Sequence, residues 1–269
     1  MTIRPGDPIS RRRALLLLGT AGVVACTPAD GRPTLVTNPT TTAPGNAGQI
    51  LREPVESDPI AADDLDQLNT AIDRSIVATA AIEQIEIFDE PDGSITHELI
   101  SPTPTGGPLL FLTELNEPDW HKVLLPMRPN GSTGWVRDSD VDLSTHQYRI
   151  AVDLAEFRVR VFERGVVTFD AVAGVAANNT PTPGGRYYLT ELLAPLEPDS
   201  IYGSFAYGLS GFSETFETFN GGPGQLGIHG TNNPETLGTP VSSGCIRLHN
   251  DDIARLVEFL PLGVPVEVA

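Results

Sequence analysis

From residue 75 onward, apolar and polar positions alternate with a period of two, in short runs separated by turns. That pattern predicts a mainly β chain. Ile82, Ile85 and Ile87 precede the turn Asp89-Glu90-Pro91-Asp92-Gly93, and Leu109 to Leu115 is a second apolar run. Trp120 to Leu125 leads into Pro129-Asn130-Gly131-Ser132, and Gly134-Trp135-Val136-Arg137 follows. Short strands at this spacing predict a small barrel over residues 75–145.

A second domain is expected over 146–269. Tyr148 to Leu154 and Phe157 to Phe162 alternate, Glu163-Arg164-Gly165 turns, and Val166 to Phe169 returns, a β-meander. Thr180-Pro181-Thr182-Pro183-Gly184 is a rigid turn feeding another strand. Residues 191–224 read as a long glycine-rich connection with brief strands, a substrate wall or lid. Near the end the period changes. Ile253, Leu256, Val257 and Leu260 share one helical face, with Asn250 as N-cap and Pro261 as stop. Val264 to Val268 is expected to close the sheet as an edge strand, because it contains Pro265. His97 and His121 carry no metal or catalytic pattern and are expected at the surface.

The first 74 residues are different. Ser10-Arg11-Arg12-Arg13 precedes Leu15 to Leu18 and a small apolar run ending at Val23-Val24-Ala25-Cys26. A basic segment before a short apolar run predicts a signal peptide over 1–25, too short to span a membrane comfortably. The arginines resemble a twin-arginine signal, with general secretion as the alternative. Val-Val-Ala-Cys resembles a lipobox, which would make Cys26 the lipidated N-terminus of a protein on the outer face of the membrane. An ordinary cleaved signal is the alternative. Residues 26–60 are rich in Pro, Thr, Ala and Gly and are expected to be a disordered tether. Leu65, Leu68 and Ile72 suggest a short helical lead-in over 61–74.

Composition narrows the partners. The net charge is −18, and −21 once residues 1–25 are removed, which argues against nucleic acid and against a peripheral grip on anionic lipid. If Cys26 carries lipid, Cys245 is the mature chain's one free thiol, a flag for reactivity in an exported protein. No metal or other cofactor is implied, since one Cys and one or two His fall short of a ligand set.

Cys245 lies in Ser242-Ser243-Gly244-Cys245-Ile246-Arg247, sixteen residues after His229. A cysteine acts as nucleophile when a base or positive field favours its thiolate, and histidine is the usual partner. Two strands joined by the loop 232–238 would bring His229 and Cys245 together. Gly244 permits close approach of backbone to a substrate, and neighbouring amides can face an oxyanion. Arg247 is suited to holding a carboxylate. Spacing alone leaves a structural cysteine open.

His229-Gly230-Thr231…Ser242-Ser243-Gly244-Cys245-Ile246-Arg247-Leu248, together with Thr180 to Gly184 and the helix over 253–260, resembles the signature of the L,D-transpeptidases, whose catalytic domain is the YkuD type. The pair Trp120…Gly134-Trp135-Val136 resembles an SH3-like module, for which wall binding and simple spacing are equally open. The resemblance implies an SH3-like barrel followed by a β-sandwich catalytic domain with one or two short helices. It implies that Cys245 attacks a donor stem peptide of peptidoglycan at the L-centre of meso-diaminopimelate and expels D-Ala. The amine of an acceptor stem then takes the acyl group in a 3→3 cross-link. His229 would be the base, oriented by the carbonyl of Gly230. The backbone of Ser243, Gly244 and Cys245 would support the oxyanion, and Arg247, Thr231 and Ser242 would contact substrate. Such enzymes are typically acylated by carbapenems. Ser243 departs from the pattern, since many members carry His or Lys there. The same thioester passed to water or to a protein amine, and a non-catalytic wall-binding lipoprotein, are the other readings.

Overall fold

A computed structural model describes residues 34–35 and 74–269, other than 178, 195–198 and 220. The signal segment, Cys26 and the lead-in helix expected before Arg74 lie outside the described residues, as does most of the tether. Within the tether, Thr34–Leu35 (β1) forms a strand instead of unstructured chain, pairing with Leu193 and Ala194. Thr34-Leu35-Val36-Thr37 is a β-favouring run between Pro33 and Pro39.

Seven antiparallel strands follow: β2 (Ser75–Ala80), β3 (Gln84–Phe88), β4 (Ile95–Ile100), β5 (Leu110–Asn116), β6 (Trp120–Leu124), β7 (Thr133–Arg137) and β8 (Val141–His146). Their order is β4-β3-β7-β6-β5-β2-β8. Residues from both ends of this order, Ile85 and Val141 among them, share one buried cluster with Phe111, Val123 and Val136, so the sheet curls around its core. His97 is exposed on edge strand β4. His121 corrects the expectation of a surface histidine, being only 1% exposed. It sits on β6, which is paired on both sides, and its Nε2 meets Asp138 Oδ1 at 2.8 Å.

The remaining strands are β9 (Tyr148–Asp153), β10 (Arg158–Glu163), β11 (Val166–Val172), β12 (Val175–Ala176), β13 (Gly185–Ala194), β14 (Ala206–Phe212), β15 (Gln225–His229), β16 (Pro240–Ser242), β17 (Ile246–Arg247) and β18 (Pro265–Val268). One sheet runs β11-β10-β9-β18-β13-β14-β15-β17, with β1 added beside β13, and β12 pairs with β16 separately. Val152 and Val161 from one end of that sheet share a core with Leu209 and Ile228 from the other, a sandwich-like arrangement. The single α-helix among the described residues, α1 (Asn250–Val257), adds Ile253 and Leu256 to this core, both fully buried.

Three expectations change here. Strand β18 is interior, parallel to β9 and antiparallel to β13, and Pro265 is tolerated because it is the first residue of the strand. The 191–224 stretch is more regular than its glycines suggest, since it takes in the last four residues of β13 and all seven of β14. Gly208 and Gly211 sit in β14 because a Cβ there would lie 2.7 Å from Glu191 and 2.3 Å from Tyr187. The N-cap of α1 is His249, whose Nδ1 accepts from Asp251 N at 3.3 Å, and this frees Asn250 for another task.

The two sheets belong to one compact unit. Alternation along β13 sends Tyr187 and Leu189 into the sandwich core and Tyr188 the opposite way. Tyr188 is fully buried among Val77, Leu110, Leu112 and Leu124 of the first sheet, and its hydroxyl donates to Leu110 O at 3.0 Å. Arg128, from the turn after β6, donates to the carbonyls of Ser213, Phe216 and Pro223. Asn130 makes a two-point bond with the backbone of Phe212, 2.8 Å in each direction. Replacing Tyr188 by Phe strands the Leu110 carbonyl in an apolar setting. Tyr188→Phe is expected to lose about 1–2 kcal/mol, read as a lower urea midpoint at unchanged slope. An unchanged midpoint would show that the hydroxyl contributes nothing.

Candidate active site

The second sheet ends in a parallel pair whose register places Ile228 opposite Ile246 and His229 opposite Arg247. Continued one residue back, the same register sets Gly227 opposite Cys245. Side chains alternate along a strand, so His229, Cys245 and Arg247 share one face while Ile228, Ile246 and Leu248 turn into the core. Leu248 N donates to His229 O at 2.8 Å and extends the pairing past β17. Gly227 has no side chain to occupy the position beside the thiol.

The imidazole of His229 is buried, with Nδ1 2.6 Å from the Gly230 carbonyl. A carbonyl only accepts, so Nδ1 carries the proton and Nε2 is the basic nitrogen. The Tyr202 ring meets the imidazole edge-on, with centroids 5.0 Å apart. Burial pushes the pKa of His229 down to about 4, helped by the Arg247 charge and opposed by the Gly230 bond. Burial pushes the Cys245 thiol up, against the Gly227 N–H and the Arg247 charge. The resting pair is therefore a neutral thiol beside a neutral imidazole.

Two cavities meet at this pair. The larger holds about 500 Å³ and runs over Gly208 and Gly227 toward Glu191 and Thr105. The smaller, about 40 Å³, is bounded by Arg247, Ser243 and Phe216. Arg247 Nε is buried without a hydrogen-bond partner, while its backbone is tied to Gly174 in both directions.

This geometry coincides with a known catalytic domain. Residues 147–268 match the L,D-transpeptidase catalytic domain called YkuD. Over 124 residues the chain is 33% identical to YkuD of Bacillus licheniformis, covering 46% of this chain and 67% of that protein. Over 129 residues it is 31% identical to YkuD of Bacillus subtilis, covering 47% and 69%. Both relatives carry the L,D-transpeptidase name. The chain belongs to the YkuD family of L,D-transpeptidases. An L,D-transpeptidase structure from Mycobacterium tuberculosis matches 53% of this chain and 74% of its own at 20% identity, with a TM-score of 0.38. The family acts on peptidoglycan peptides, and its reaction is an acyl transfer.

In this chain the loop carrying Cys245 is braced by its own side chains and by the Thr180–Gly184 turn. Ser242 donates its hydroxyl to Cys245 O and accepts from Gly244 N at 3.2 Å. The Gly244 amide, expected to face an oxyanion, is thus engaged at rest. Gly244 has φ 128°, where an L side chain is strained. Thr182 Oγ1 donates to Gly244 O at 2.8 Å and Thr180 Oγ1 to Ser242 O at 3.3 Å, which gives the Thr180–Gly184 turn its purpose. Ser243 is exposed. Thr231, expected to contact substrate, is 1% exposed, and its hydroxyl accepts from Asn233 N at 3.1 Å within its own turn.

Asn250 was legible only as a cap. Its Oδ1 accepts from Thr231 N at 3.0 Å and Ser204 N at 3.2 Å, fastening the segment after His229 to the segment that carries Tyr202. A Cβ on Gly203 or Gly230 would lie 2.0 or 2.2 Å from that oxygen. Tyr202 and Glu191 carry no local sequence signal and enter the site through the fold. Among the described residues no group of three or more His, Cys, Asp and Glu could hold a metal.

His229 gives the enzyme a defined acid response. Its folded pKa of about 4 lies below the usual 6.5, as does that of His146. Above pH 6.5 both residues are neutral whether the chain is folded or not. Between pH 6.5 and 4 the unfolded chain binds protons that the folded chain refuses, so stability falls as pH falls through that window. Urea midpoints measured across it should drop less steeply in His229→Gln than in the wild type. Equal slopes would contradict a buried neutral imidazole.

Proposed function

We propose that this chain forms 3→3 peptidoglycan cross-links through a thioester on Cys245. The observation that supports this reading most is the shared face of His229, Cys245 and Arg247, opening into two adjoining cavities that both reach the thiol. Nε2 of His229 takes the thiol proton as Sγ attacks the carbonyl of the L-centre of meso-diaminopimelate in a donor stem. Backbone amides of the Ser243–Cys245 segment face the oxyanion, with Gly244 exchanging Ser242 for substrate. The imidazolium then protonates the departing D-Ala amine, leaving a thioester. The amine of an acceptor stem displaces the thiolate, and the amide cross-link forms. Arg247 offers its unpartnered Nε edge to a donor carboxylate. The neutral resting pair fits general-base activation at the moment of attack, in place of a standing thiolate.

The first sheet would space the site from the membrane or bind the wall. The lipidated N-terminus on Cys26 would hold the enzyme on the outer face of the membrane, reaching the wall through the tether.

Two measurements test these readings. The full chain incubated with a tetrapeptide stem or a carbapenem should gain one adduct by intact mass, lost in Cys245→Ala. His229→Gln should slow adduct formation by about 10²–10⁴-fold. No adduct on the wild type, or an equal adduct on Cys245→Ala, would refute the thioester. In cells, labelled lipid should attach to the wild type and not to Cys26→Ala, and equal labelling would refute the anchor.

A further inference from the structure

The larger cavity has an internal polarity that the reaction leaves unexplained. Glu191 on β13 pairs with Gly208 on β14, Gly208 pairs with Gly227 on β15, and the β15–β17 register continues the row to Cys245. Residues opposite one another across a ladder point to the same face, so Glu191 and Cys245 are the two ends of one row. The two positions between them are glycines. The next row, Leu193–Ala206–His229–Arg247, also has a small residue in the middle. The result is a trough with the thiol and base at one end and a carboxylate at the other, and all of these line the same cavity.

The Glu191 side chain leans into this trough. A Cβ on Gly208 would meet its Cγ and Oε1 at 2.7 Å, so the carboxylate lies over Gly208. Strands in a sheet are about 5 Å apart, so only one strand spacing separates Gly208 from Gly227, which the β15–β17 register sets opposite Cys245. The other carboxylate oxygen, Oε2, accepts from Thr105 Oγ1 at 2.6 Å, a hydroxyl supplied by the first sheet's β4–β5 connection. Around the cavities the charges divide cleanly. Among the described lining residues, with His229 neutral, Arg247 is the charged residue of the smaller cavity and Glu191 that of the larger.

We propose that the larger cavity is the acceptor site and that Glu191 docks the cationic amine of the acceptor stem, thereby favouring an amine over water as the group that resolves the acyl-enzyme. This rests on the thioester reading above. An alkyl amine is an ammonium ion in neutral water and needs an anion to hold it and a base to activate it. Glu191 supplies the anion and is unchanged by the reaction. His229 supplies the base, having returned its first proton to the departing D-Ala. The ammonium first gives one proton to solvent water, which frees its lone pair. As the amine nitrogen then bonds to the thioester carbon, Nε2 takes a second proton, the C–S bond breaks, and the thiolate recovers that second proton from the imidazolium, so the net step releases one proton to water. Thr105 makes the first sheet a partner in acceptor selection by fixing the direction of the carboxylate.

The test uses the full chain, a tetrapeptide donor, and either an amine-bearing stem or hydroxylamine as acceptor. Hydroxylamine is uncharged at neutral pH and reports on acceptor chemistry without charge. Acylation by the donor alone is followed by intact mass as the reference. Glu191→Gln should raise the KM for the amine-bearing stem about tenfold or more and shift product toward hydrolysis, with capture by hydroxylamine little changed. Glu191→Asp should recover part of the loss, and Thr105→Val, which leaves the carboxylate in place but unsteered, should give a smaller rise. An unchanged KM in Glu191→Gln, or an equal loss with hydroxylamine, would overturn the proposal. A variant that melts early is replaced by Thr105→Val, where an unchanged KM overturns it equally. If the wild type forms no acyl-enzyme, the thioester reading falls and this proposal with it. Acylation with an unmoved partition removes this proposal alone.

Discussion

The pairing of β15 with β17 is the constraint on which the site depends. A shift of one residue would turn Cys245 into the sandwich core and bring Ile246 out to the cavity, because strand side chains alternate. The register is held from several directions. Ile228 and Ile246 are anchored in the core, Leu248 bonds back to His229, and Thr180 and Thr182 tie down the carbonyls of Ser242 and Gly244 just ahead of Cys245. The two-residue strand would be weak in isolation. Its accuracy comes from neighbours that have no chemical part in the reaction.

The electrostatics follow from the same placement. The chain is strongly acidic overall, yet the side of the thiol facing the smaller cavity carries a cation. Burial disfavours charge on both His229 and Cys245, and the Arg247 field acts in opposite senses on them, discouraging imidazolium and encouraging thiolate. At such a site both groups favour their neutral forms, and modest changes of pH near neutrality leave them so.

Much of this was legible in the sequence, and the reasons for the gaps are physical. Period-two alternation identified the mainly β class, and local composition picked out His229, Cys245 and Arg247 as candidates. The Gly230 carbonyl was foreseen as the imidazole's partner, and a bond of that kind now stands in the fold. Long-range pairings were not foreseeable. Pro265 suggested an edge because proline lacks a donor, but starting a strand is equally permissive, and β18 lies inside the sheet. The glycines of β14 read as loop because glycine weakens strands in general. Here they yield space to Glu191 and Tyr187, which come from another strand. Asn250 could be recognised as a helix-start residue, but its acceptor role depends on two loops that reach it only in the folded chain.

The grip between the two sheets has a consequence for how this architecture can change. Tyr188 sits in the first sheet's apolar interior, and Arg128 and Asn130 hold the backbone around the Phe216 wall of the cleft. The catalytic half is therefore not a portable cassette. Lifted out alone, it would expose a large aromatic side chain and release one wall of its own cleft. An exchange of the N-terminal module between relatives must bring along a socket for Tyr188 and donors for that wall, so the two halves are constrained to vary together.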